Sequence, residues 1–129
     1  MNRFALALLT LALLPMISFC KAKTVADTAT TGTQNLSCNY ASEGLCTKIV
    51  QTGPLAAVPT CGEGQTEISS CSLSACSGSC TYTVTAGSIS QVQTLYYYSA
   101  TFDATTAAAA CTAVGVTYAA DAVFSATCE

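Results

Sequence analysis

The sequence predicts a small disulfide-rich α+β domain of short antiparallel strands and one short helix, with a faint two-part repeat. Three observations carry this. The 129-residue chain holds nine cysteines, and eight of them (Cys38, Cys46, Cys61, Cys71, Cys76, Cys80, Cys111 and Cys128) form an even set behind an apolar leader. Runs of β-branched and aromatic residues, such as residues 81–85, are bounded by Gly and Ser and read as strands. An alanine-rich run over residues 104–114 reads as a helix, because alanine has the highest helix propensity.

The leader comes first. Arg3 is followed by an apolar run from Phe4 to Leu14, which Pro15 interrupts. That is the charged start and apolar middle of a secretory signal, here given residues 1–19. The run is shorter than the roughly 20 apolar residues of a membrane-spanning helix. The segment Ile17-Ser18-Phe19-Cys20 resembles the lipobox of bacterial lipoprotein precursors, with Phe19 where a small residue usually stands, as in the more permissive spirochaetal type. The resemblance implies that the leader is cut before Cys20 and that a diacylglyceryl group is attached to its sulfur. It covers only this segment, and it implies a location rather than an activity. The alternative is plain secretion with a cut after Ala22 or Ala26, which would discard Cys20. Both routes deliver the same eight cysteines to an oxidising compartment.

Residues 20–37 then read as the lipidated cysteine and a Thr-rich tether, too poor in large apolar residues to order itself. The disulfide-rich domain is expected over residues 38–129. In its first half, residues 46–50 and 66–68 are strand candidates. Pro54 is placed to start a short turn of helix that Pro59 stops. Residues 71–80, with three cysteines among Ser and Gly, read as a loop that disulfides must organise.

The second half carries the clearer signals. Residues 81–85 and 92–101 are expected to form a hairpin with a several-residue loop. Asp103 offers an N-cap, residues 104–114 the helix, and Gly115 its stop. Residues 116–118 and 123–125 are further short strand candidates. Each half reads as cysteine, strand, connection, cysteine, strand, cysteine, aligning Cys46, Cys61 and Cys71 with Cys80, Cys111 and Cys128. Eight cysteines allow 105 pairings; local pairing favours Cys111 with Cys128 and Cys71 with Cys80.

Composition narrows function. Charged residues make up only 9% of the chain, with a net charge of −3. From Cys38 onward Lys48 is the only basic residue, so there is no electrostatic basis for nucleic-acid binding. The chain has no histidine, which removes histidine-assisted nucleophiles and leaves a zinc site needing four thiolates. Disulfide formation is the stronger reading of those thiols, and no C-x-x-C redox motif occurs. No metal or other cofactor is expected. Glu63 and Glu67 are the nearest carboxylate pair for acid–base chemistry, but their Gly-rich surroundings read as solvated turn, so no catalytic residue is assigned. The expectation is a non-enzymatic protein in a structural or binding role, held at an outer membrane or cell surface through Cys20. A protein partner is compatible with this. Among Tyr96, Tyr97 and Tyr98, the middle ring faces opposite to the other two on a strand, which makes Tyr97 the candidate binding residue. A thin core would instead draw all three inside. The second reading is a soluble secreted effector or inhibitor presenting a constrained loop, either residues 71–80 or 53–60.

Overall fold

The computed structural model describes residues 30–118 and 120–128. It is an α+β domain with one antiparallel sheet of six strands in the order β3-β1-β2-β5-β4-β6. The strands are β1 (Thr31–Tyr40), β2 (Leu45–Pro54), β3 (Thr66–Ile68), β4 (Cys76–Ala86), β5 (Ile89–Tyr98) and β6 (Val123–Ser125). One helix, α1 (Ala104–Tyr118), packs against β4 and β6. The four central strands span 10 or 11 residues each, which for β1, β2 and β4 is longer than the sequence suggested.

Two tight turns build the central hairpins. Between β1 and β2 a single 3-10 turn, Ala41–Glu43, ends at Gly44 with φ 65°. That left-handed conformation favours glycine, and a Cβ there would strike Thr101 Oγ1. Between β4 and β5 only Gly87 and Ser88 intervene, with Gly87 at φ 60°. A two-residue turn with glycine first matches the right-handed strand twist, so it replaces the longer loop expected between Val84 and Val92.

The sheet has an internal two-fold order. One register row crosses all six strands as Glu67, Cys38, Thr47, Leu95, Cys80 and Phe124. Each half is a hairpin followed by a short strand that pairs antiparallel to the outer edge of its first strand. A perpendicular two-fold axis between Thr47 and Leu95 relates β1 to β4, β2 to β5 and β3 to β6. Cys38 then corresponds to Cys80, Cys61 to Cys111, and Cys71 to Cys128. This repeat differs from the expected one: Cys80 matches Cys38 rather than Cys46, and β6 rather than residues 116–118 matches β3.

The disulfides are Cys38–Cys61, Cys46–Cys71, Cys76–Cys128 and Cys80–Cys111. The two local pairings expected from sequence do not form. Successive strand residues point to opposite faces, and Cys46 shares a register row with Ser79, next to Cys80. Cys46 and its partner Cys71 therefore lie on the face opposite Cys80, and a Cys71–Cys80 bond would have to cross the sheet. Cys80 instead points at α1, where Cys111 and Ala107 form the helix's buried stripe. Two disulfides lie on each face, each contributing about 2–4 kcal/mol by restricting the unfolded chain.

The helix-side core joins Cys80, Tyr97, Phe102, Ala107 and Cys111, with Leu45, Leu95, Val114 and Phe124 packed around them. A smaller cluster of Leu36, Cys38 and Ile49 is closed by Cys61. Asp103 caps α1 as expected: its carboxylate accepts from Thr106 N–H at 2.7 Å, while Asp103 N–H donates to Thr106 Oγ1 at 3.0 Å.

Boundaries differ from expectation in several places, and β5 begins and ends three residues before the expected 92–101. Residues 31–37, assigned to the tether, form most of β1; Thr31, Thr33 and Asn35 face solvent while Leu36 and Cys38 enter the core, so backbone pairing outweighs low hydrophobicity. Residues 76–80 belong to β4 rather than a loop. The helix does not stop at Gly115 but runs to Tyr118, replacing the strand expected at 116–118. Gly115 serves close packing instead, since a Cβ there would stand 3.2 Å from Ala120 O and Ala122 Cβ. Pro54 starts only a turn, closed by Ala57 N–H donating to Pro54 O at 3.0 Å.

Candidate binding surface

The two faces of the sheet are dressed differently. On the helix side, β1, β2 and β5 align Gln34, Gln51 and Gln91 in one register row, with Gln93 one row further on. Gln34 Nε2 donates to Leu55 O at 2.8 Å, while the other three amides form a directional chain. Tyr82 OH donates to Gln93 Oε1 at 2.7 Å, Gln93 Nε2 to Gln91 Oε1 at 2.9 Å, and Gln91 Nε2 to Gln51 Oε1 at 2.7 Å. Gln51 Nε2 ends the chain on Ala57 O. Gln51 and Gln93 are each only 4% exposed, so the network holds buried polar groups in partnership. Sequence reading missed it. The available signal was the spacing Gln91-x-Gln93, which places both side chains on one face.

The opposite face is lined by hydroxyls and small side chains. One row runs Thr33, Thr52, Ser90 and Thr85, and the next runs Asn35, Val50, Val92 and Thr83. A third runs Ser37, Lys48, Thr94 and Thr81, with the Thr81 and Thr94 hydroxyls 3.1 Å apart in a hydrogen bond. Thr33, Asn35, Lys48, Thr52, Thr83, Thr85 and Val92 are exposed. Further along this face, Cys46–Cys71 ties the segment after β3 to the register row of Tyr96, which is 4% exposed. Leu73 stands out from that segment at 53% exposure.

Tyr97 is not on this surface. It is 2% exposed on the helix side, with its ring edge-on to Phe102 at 5.0 Å between centroids. Coverage by α1 and Phe102 makes it core, so the binding role expected of Tyr97 is withdrawn. Tyr82 is also buried, stacked on Tyr118 at 5.3 Å. Burial pushes the phenol ionisation of both Tyr82 and Tyr97 well above the usual tyrosine range. For Tyr82, neighbouring Tyr118 and Tyr97 add smaller upward contributions.

Glu63 lies in the turn before β3 and Glu67 on β3, both exposed. Among the described residues, no group of three His, Cys, Asp or Glu is arranged to hold a metal ion. No helix among them is long and apolar enough to cross a membrane. Of the two loops singled out from sequence, residues 53–60 present Leu55 and Val58 at 41% and 69% exposure. Cys20 and the signal segment lie outside the described residues. No protein-family model, no curated protein and no solved structure matches the chain.

Proposed function

We propose that this is an exported protein, tethered to a bacterial outer membrane or cell surface by a lipid on Cys20. Its stapled domain serves a structural or binding role rather than a catalytic one. The observation that carries the export half of this reading is the pairing of all eight downstream cysteines within one small domain. Such density belongs to oxidising compartments and to domains whose core alone is marginal. The lipobox-like segment supports the anchor. The binding half is supported by the open hydroxyl-rich face, which offers donors and acceptors on rigid strands and carries Lys48 as its single charge.

Detergent phase partition tests the anchor. The native chain is expected in the detergent phase and Cys20→Ala in the aqueous phase. Equal partition of both would overturn it. One observation favours the second reading, a soluble secreted effector. Leu73 is exposed on a segment fixed at both ends by Cys46–Cys71 and Cys76–Cys128, as a loop offered to a target would be. That reading places the native chain in the culture supernatant.

A further inference from the structure

We propose that the outer edge of β1 pairs with the β1 edge of a second copy, making a two-fold dimer with one continuous sheet. β3 covers this edge only opposite Ser37, Cys38 and Asn39. Among the described residues nothing pairs with it from Thr31 to Leu36, although β2 holds the whole strand on its other side. An open edge is a template for another strand, and proteins usually blunt it with charge, proline or a bulge. The segment Thr31-Gly32-Thr33-Gln34-Asn35-Leu36 carries none of these.

A second copy is the occupant that this edge fits. Antiparallel self-pairing centred on Thr33 places Thr33 opposite Thr33, Thr31 opposite Asn35 and Gly32 opposite Gln34. A two-fold contact sets like residues together, so any charge in the segment would repel its own copy; there is none. The incoming strand runs in the same direction as β3 and in line with it. Its first residue then falls beside Ile68 and Ser69, where a depression of about 200 Å³ is lined by Asn35, Leu36, Ser37, Glu67, Ile68 and Ser69. On the helix side, Leu55 lies over Gly32 and is 41% exposed. The same axis brings both Leu55 side chains to one face of the joined sheet, where each covers the other. The molecule already joins its own halves in this manner, through the antiparallel pairing of β2 with β5.

Charge introduced at the axis is the test, made on the full disulfide-bonded chain by sedimentation equilibrium and hydrogen exchange. The parent protein is expected to dimerise, with amide protection over residues 31–36 rising with concentration. Thr33→Lys and Thr33→Glu are each expected to be monomeric at the concentration where the parent is dimeric. An equimolar mixture of the two variants is expected to recover the dimer. Thr33 is exposed on the open face, so both variants should keep the thermal midpoint that the parent shows when diluted to monomer. Thr83→Lys, on the other open edge, is expected to leave the dimer intact. The proposal is overturned by a parent that stays monomeric. It is equally overturned by concentration-independent protection of residues 31–36, which would mean that the edge is covered within one chain. A dimer that survives both Thr33 variants, or is lost in Thr83→Lys, overturns it too.

Discussion

Tyr82 shows how one side chain sets a region's chemistry. Its hydroxyl opens the amide chain that runs through Gln93, Gln91 and Gln51. Tyr82→Phe leaves the buried Gln93 carbonyl oxygen without its donor, at an expected cost of roughly 1–3 kcal/mol, read as a lower midpoint in chemical unfolding. An unchanged midpoint would mean that the network adds nothing to stability. Asp103 acts at the surface. Hydrogen bonds from Thr106 hold its carboxyl below the ordinary carboxylate range. A depressed folded-state value contributes stability above the unfolded value of about 4 and loses it as pH falls. Asp103→Asn keeps a capping oxygen but not the titration, so its acid unfolding profile should be flatter below about pH 4 than the parent's. The cap was legible in the sequence because it is local, an Asp immediately before an alanine run. The glutamine chain was not, because it needs three strands in register, and a single sequence shows no register.

At the scale of elements, short strands depend on their staples. β6 pairs with β4 at three positions, and its end is held by Cys76–Cys128 and by Ser79 Oγ–H donating to Thr127 O at 3.1 Å. In Cys76→Ser with Cys128→Ser, hydrogen exchange at residues 123–125 is expected to accelerate while the Cys80–Cys111 core stays protected. Uniform loss of protection would show instead that this bond holds the whole fold. The helix, the main strands of the second half and the short β6 were readable from propensity and patterning. β1 was not. Thr31, Thr33 and Asn35 look like a tether when judged by hydrophobicity, yet they are the solvent side of a strand whose inward residues are Gly32, Gln34 and Leu36. Gly115 misled in a similar way. Glycine marks many helix ends, but here it makes room for Ala120 and Ala122.

The described residues form a pseudo-symmetric sheet with two disulfides on each face and one helix, and their stability should follow that construction. Burial raises the phenol ionisation of Tyr82 and Tyr97 above the ordinary value of about 10. A raised folded-state value means that this stability is complete below about pH 10 and is lost as pH rises further. Phenolate absorbance for these two rings should therefore appear together with the loss of circular dichroism, not before it. The disulfide framework was legible as an even cysteine count, whereas the pairing was not, because it depends on which sheet face each cysteine takes. The proposed lipid anchor and the four internal disulfides are both read out by the intact mass of the native protein before and after reduction. The expected result is a chain beginning at Cys20 and carrying lipid, with a gain of eight hydrogens on reduction, two for each of the four bonds. A lipid-free chain beginning beyond Ala22 would contradict the anchor, and a smaller gain on reduction would contradict the framework.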